Sequence, residues 1–231
     1  MQCLHILLMT ISFYDFSYYG QWLGSFVILV LAINYYKHLE RGLRIIGLMG
    51  LVSVVCQLFQ QISQSFFEFR YNNAIGDCYV YLETLLFFGF YYFLFANNRV
   101  LRLTLLLSGF VSTCVYFMVL FGDATYPWYS ILRSIRDILL IFFSIGAFFK
   151  FLTDLPNENL ISLPVFWINS GILFFFSCTF MLSLTMDYIS QVLLDDFYIF
   201  WAFKNFLRAG FCVVICIGIW KARKLTYQIK S

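Results

Sequence analysis

The sequence predicts an all-α fold, a polytopic membrane protein built as a seven-transmembrane helix bundle, on three observations. Hydrophobic residues make up 62% of the 231 positions, aromatic ones 22% and charged ones only 12%, against about 25% charged in soluble chains. Seven apolar windows follow one another at 18–36, 45–66, 75–96, 103–121, 128–152, 165–187 and 197–220, each near the length of about 20 residues that crosses hydrocarbon as a helix. Lys and Arg alternate between connections: Lys37, Arg41, Arg44, Arg99, Arg102, Lys150, Lys221, Arg223, Lys224 and Lys230 fall in one set, and Arg70 alone in the other. The excess marks the cytoplasmic side, so an odd helix number puts the N-terminus outside and the C-terminus in the cytoplasm.

Taken in order, the first window opens on Tyr18, Tyr19 and Trp22, aromatic residues suited to a membrane interface, as are Trp128, Trp201 and Trp220 near other ends. No Lys or Arg precedes it, so it is expected to serve as its own uncleaved signal. The second carries Gln57, Gln60, Gln61, Gln64 and Glu68, which share one helical face by their spacing. The third holds Asp77 at its mouth and Glu83 two turns deeper; the fourth carries no Asp, Glu, Lys, Arg or His; the fifth opens with Arg133, Arg136 and Asp137. The sixth ends at Asp187, and the seventh contains Lys204 and Arg208. Pro127, Pro156 and Pro164 are expected in the connections, leaving the helices unbroken. The chain reads as one domain, 1–231, without a soluble domain.

Charges inside spans demand partners, because an ion at bilayer depth is expensive unless it faces protein, water or a counter-charge. At 1.5 Å per residue, Lys204 lies about 10 Å and Arg208 about 16 Å below the start of the last window. With the orientation above, the interior charges all fall in outer halves and converge, with Gln57, Gln61, Asp15 and Gln21, on an outward-opening cavity among helices 2, 3, 5 and 7. Arg208 is too deep to reach the interface and is expected to meet Glu83. Arg133 and Asp137, at i and i+4, have a blander reading as a local pair, and Lys204 one as a snorkelling side chain. Tyr79, Tyr81, Tyr91 and Tyr92 read as packing residues, and Asn169 and Ser170 as helix-to-helix contacts.

Several chemistries are excluded. His5 and His38 both lie outside the windows, so neither a histidine metal site nor a serine–histidine pair is available in the spans. Glycine-rich phosphate loops are absent, and the net charge of +3 is dispersed, with no nucleic-acid footprint. Asp195 and Asp196 are solvated acids. A retinal Schiff base on Lys204 is opposed by Arg208 one turn below it. The seven cysteines form no C-x-x-C pair and read as packing residues, with a Cys3–Cys78 bridge on the outer side as the alternative. Neither cofactor nor metal is expected.

The runs FWINSGILFFFSCTFMLSL at 166–184, FWAFKNFLRAGFCVVICIGIWK at 200–221 and NAIGDCYVYLETLLFFGFYYFLF at 73–95 resemble short, uncharacterised seven-helix bacterial integral membrane proteins. Similar seven-helix modules serve as membrane sensor portions ahead of signalling domains such as histidine kinases. The resemblance implies the bacterial inner membrane and supplies no active residues; only 221–231 follow the last window here.

The reading that uses the most residues is a receptor-like or sensor-like protein in the lipid bilayer that binds a small polar or anionic ligand and acts through a membrane or cytoplasmic signalling partner. Arg133, Arg136, Lys204 and Arg208 face only two deep acids, Glu83 and Asp137, a balance that suits a carboxylate or phosphate group. Gln57, Gln61 and Asp77 complete the candidate site. A small-solute transporter, an intramembrane enzyme with Glu83 or Asp137 as base, and a structural subunit stay open.

Overall fold

The structure, a computed structural model, describes the backbone of residues 2–66, 70–121, 126–154, 159–192 and 197–230, and side chains over 13, 15–63, 75–118, 131–154, 159–185 and 199–223. Among the described residues it is all-helical: α1 (Gln2–Tyr35), α2 (Arg41–Phe66), α3 (Arg70–Leu94), α4 (Arg99–Phe121), α5 (Tyr126–Asp154), α6 (Pro164–Val192) and α7 (Phe197–Lys230), with single 3₁₀ turns at Tyr36–His38 and Leu160–Ser162. The helices outrun the apolar windows, most of all α1 and α7 at 34 residues each. Hydrophobicity marks the stretch that can lie in hydrocarbon, whereas a helix continues until its backbone is capped or broken.

The prolines sit differently from expectation. Pro127 and Pro164 lie in the first turns of α5 and α6, where a residue lacking an N–H loses no intrahelical bond. Pro156 lies outside the described residues. The inference of unbroken helices holds: no cis peptide or left-handed residue occurs among the described residues.

Among the described residues, five segments are long and apolar enough to cross a bilayer: Asp15–His38, Arg41–Ser63, Arg99–Met118, Pro164–Thr185 and Ile199–Arg223. The chain is therefore a multi-pass helical membrane protein. α3 and α5, the two helices that fall short, carry Asp77, Glu83, Arg133, Arg136 and Asp137.

Packing contacts join α1, α2, α3, α5, α6 and α7 into a closed ring, with α4 lying mainly against α3. Small residues set the closest approaches. Gly24 faces Cys212 where α1 meets α7, Gly47 and Gly50 face Ala32 and Ile28 between α2 and α1, and Gly218 faces Ile168 between α7 and α6. Where lipid is as apolar as the side chains, such close backbone packing supplies the attraction that water supplies elsewhere.

One half of the ring is filled with aromatic residues: Phe87, Phe90 and Tyr91 of α3, Phe95 in the turn after it, Phe143 of α5 and Phe176 of α6 are fully buried. The polar node within it is satisfied. Tyr91 Oη donates to Asn169 Oδ1 at 2.9 Å, Ser144 Oγ donates to the same oxygen at 3.0 Å, and Asn169 Nδ2 donates to the Ser144 carbonyl at 3.0 Å. Asn169 thus ties α6 to α3 and α5, as its sequence position suggests, while Ser170 bonds back to Phe166 of its own helix.

Basic residues secure the end where α1, α3 and α5 finish. Lys150 Nζ donates to the Leu94 carbonyl at the C-terminus of α3 (2.8 Å), Lys221 Nζ to the Ile161 carbonyl (2.6 Å) and Arg44 Nε to the Leu39 carbonyl (2.8 Å). Asn98 caps α4, accepting from the amides of Val100 and Leu101 at 3.1 and 3.2 Å.

A Cβ at Gly47 would stand 2.7 Å from that of Ala32, whereas one at Gly210 would meet nothing within 4 Å. Gly47→Leu is expected to destabilise the bundle by about 1–3 kcal/mol through overpacking. Gly210→Ala is expected to be neutral or to stabilise by up to about 1 kcal/mol through helix propensity. Reversible unfolding in mixed detergent micelles measures both.

Candidate functional site

The other half of the ring, toward the end where α3, α5 and α7 begin, is ionic. On α3, Tyr79 and Glu83 are one turn apart on the inner face, and Tyr79 Oη donates to Glu83 Oε1 at 3.1 Å. Arg208 of α7 closes the unit: it pairs with Glu83 and donates to the Tyr79 hydroxyl. On α5, Arg136 grips the neighbouring Asp137 through Nε at 2.8 Å and Nη2 at 2.6 Å, while its Nη1 lies 3.9 Å from Glu83 Oε2. Arg133, one turn toward the helix start, pairs with Asp77 of α3 at 2.9 Å.

Aromatic rings from the core form the floor and one wall. The Arg208 guanidinium carbon stands 5.2 Å from the Phe175 ring and 5.4 Å from Phe211, and that of Arg136 stands 5.2 Å from Phe176. Ring faces over a desolvated cation are worth up to about 2 kcal/mol. α1 and α2 add hydroxyls and an amide: Ser25 and Ser53 bond at 2.9 Å, Gln57 Nε2 donates to Ser53 Oγ at 3.4 Å, and Ser53 reaches on to Tyr79.

Burial is graded. Arg133 and Asp77 keep 29% and 23% of their side-chain surface, but Arg208 and Glu83 keep only 7% and 4%, and Asp137 none. Lys204, half-buried on α7, has its ammonium 5.3 Å from the Trp201 ring and no carboxylate within 4 Å among the described residues. The charges acting on it are those of Arg133, Arg136, Asp137 and Glu83.

Most of the candidate residues therefore meet. Glu83, Arg136, Asp137 and Arg208 form the buried core, Asp77 with Arg133 forms the more exposed layer, and Lys204 lies within the field of both. The local pair of Arg133 with Asp137 gives way to two others, because the Arg133 side chain extends to α3 and leaves Asp137 to Arg136. Gln57 belongs to the ring interior. Gln61 is exposed: one further turn rotates the side chain by about 40°, and the face of α2 held between α1 and α3 is narrower than the glutamine stripe. Asp15 is also exposed. The side chains of Gln64, Glu68, Asp187, Asp195 and Asp196 lie outside the described residues.

Tyr79, assigned to packing by its sequence, is a bridging member of the network. Its position one turn before Glu83 was the available signal. Tyr81 keeps the packing role, stacking on Tyr116 with centroids 4.3 Å apart. Tyr92 stacks under Arg102, and Tyr91 belongs to the Asn169 node.

Two apolar grooves lie away from these charges, one of about 740 Å³ between α1 and α7 and one of about 340 Å³ between α3 and α4. Cys78 is a free thiol, as are the other five described cysteines. No group of three or more metal-ligating side chains occurs among the described residues. Comparison with protein families, curated proteins and solved structures gives no match to this chain.

Removing one member of a buried pair strands the other charge, which typically destabilises by about 3–5 kcal/mol. Arg208→Met alone is expected to show such a loss, whereas Arg208→Met with Glu83→Gln is expected to recover much of it. A double-mutant cycle on unfolding free energy measures the coupling, and strictly additive losses would rule out the pair.

Proposed function

We propose that the chain is a seven-span, receptor-like protein of the bacterial inner membrane, with its ionic half facing away from the cytoplasm, that recognises a small anionic ligand and acts through a partner protein. The carrying observation is the charge balance. Among the described residues Arg133, Arg136 and Arg208 each have a carboxylate partner, and Lys204 is the surplus cation. Counting Asp77, four cations meet three acids, so one negative charge would complete the cluster.

The orientation is supported by the basic residues collected at the opposite end of the bundle, ten against one in the connections. α3 and α5 are read as the remaining two spans because their charges are covered by neighbouring helices rather than by lipid. The grading of exposure from Asp77 and Arg133 down to Asp137 supports approach from the end where α3 begins. Uninterrupted helices favour a receptor over carriers built on broken ones. The resemblance to bacterial seven-helix sensor modules points the same way.

The reading predicts that inorganic phosphate or a small carboxylate raises the unfolding midpoint of the purified protein. Lys204→Gln should leave the ligand-free midpoint nearly unchanged and weaken that stabilisation at least about tenfold, the loss of one charge-assisted contact. Uptake of the anion into proteoliposomes would replace the receptor reading with a carrier. A reporter active only in the cytoplasm, fused at the C-terminus, should be active; silence there with activity at the N-terminus would reverse the orientation.

A further inference from the structure

Among the described residues, the ion pairs leave three buried polar atoms around Glu83 without a partner: Arg208 Nε, Asp137 Oδ2 and Gln57 Oε1. Their residues are 6%, 0% and 5% exposed. Each stands within a short chain of contacts from Glu83. Arg208 pairs with it directly, Asp137 is joined through Arg136, and Gln57 is joined through Ser53 and Tyr79. One of the three is a donor and two are acceptors. A buried polar group left unpaired is strongly unfavourable, and it is rescued only by a group of opposite hydrogen-bonding sense.

A bare anion would serve Lys204 and Arg208 Nε but would leave both acceptors unmet. A ligand that also carries a hydroxyl would serve Lys204, Arg208 Nε and one of the two acceptors. We infer that the ligand of this site is a small monoanion bearing a hydroxyl group, its acid group held by Lys204 and Arg208 and its hydroxyl donating to Asp137 or Gln57. The inference rests on the anion-receptor reading and narrows its ligand class.

Charge decides between a hydroxyl and an ammonium as the donor. The described cluster has one surplus positive charge, which a hydroxy acid neutralises and a zwitterion such as an amino acid leaves in place. A site built to pair a hydroxyl discriminates against the analogue without it more sharply than an apolar pocket discriminates by size, because its own polar groups are stranded when the analogue binds.

The test titrates matched probes against the unfolding midpoint of the full chain in detergent: acetate with glycolate, propionate with lactate, the zwitterions glycine and alanine, and inorganic phosphate. Apparent affinities follow from the dependence of the midpoint on ligand concentration. Glycolate and lactate are expected to bind at least about tenfold more tightly than acetate and propionate. Gln57→Leu should shrink that ratio while sparing the affinity for the unsubstituted acid, and Asp137→Asn should shrink it while strengthening the binding of both acids by the positive charge it uncovers. Should Asp137→Asn fail to fold, Gln57→Leu carries the test, since it removes an acceptor and strands no charge.

Equal affinity within each matched pair would overturn the hydroxyl assignment and leave the anion reading intact. Tighter binding of glycine or alanine than of the hydroxy acids would overturn the charge argument in favour of a zwitterion. If neither phosphate nor any carboxylate shifts the wild-type midpoint, the anion reading itself falls and takes this inference with it.

Discussion

The pairing of Glu83 with Arg208 is the constraint on which this architecture turns. Beyond Arg70 at the start of α3, the helices α3, α5 and α7 carry seven charged side chains in the half that begins them, and each would disfavour a membrane interior by about 3 kcal/mol on insertion scales. Left unpaired, they would outweigh the 5–15 kcal/mol by which whole domains are stable. Their side chains must therefore meet, and Glu83 is where three helices join: Arg208 reaches it from α7 and Arg136 from α5, while Tyr79 supports it from its own helix. The turning of the charged faces of α3 and α5 into the ring, while Ile135, Ile138 and Phe142 of α5 stay exposed, follows from the same requirement.

The bundle is divided along its length into two kinds of interior. About 12 Å along α3 from Glu83, eight residues at 1.5 Å each, Tyr91 joins the Asn169 and Ser144 node, and beyond it the core is apolar and aromatic. Between the halves, Phe175, Phe176 and Phe211 present ring faces to the guanidinium groups. Aromatic residues can do this because their faces are electron-rich while their edges pack against aliphatic neighbours. The abundance of phenylalanine thus fills the apolar half and also forms the floor beneath the arginines. Glycines at the α1–α2 and α1–α7 contacts close the ring, so α1, which contributes few polar groups, still brings Ser25 to Ser53.

The helices were legible in the sequence because hydropathy, connection length and alternating basic residues are read over many positions at once. The meeting of Glu83 with Arg208 was legible for another reason: a cation that deep has few alternatives. Arg133 was not, since a guanidinium one turn from Asp137 and one helix from Asp77 satisfies the same rule with either acid. The choice depends on how α3 and α5 are aligned, and no local pattern encodes that. Gln61 shows the limit of periodicity, because a stripe predicts a shared face but not how much of it neighbouring helices cover. Tyr79 was hidden by its chemistry, for a tyrosine can pack with its ring and bond with its hydroxyl at once. The helix ends of α1 and α7 were missed because apolar windows end where lipid ends.

A buried ion network is weak evidence for stability, since well-packed apolar residues in its place are often neutral or better. That seven charges persist here, when α4 shows that this chain can build a span with none between Arg102 and Phe121, requires another reason. Assembly makes the requirement sharper. Tyr79 and Arg208 are 129 positions apart, and α1 also waits for α7 to close the ring, so α3 and α5 hold their charges without the full network until the last helix arrives. Non-local closure of this kind is slow and exposes the intermediate. An arrangement that burdens insertion, folding and net stability together, and that leaves Arg208 Nε, Asp137 Oδ2 and Gln57 Oε1 without a hydrogen-bond partner among the described residues, is what the proposed recognition of an anion would account for.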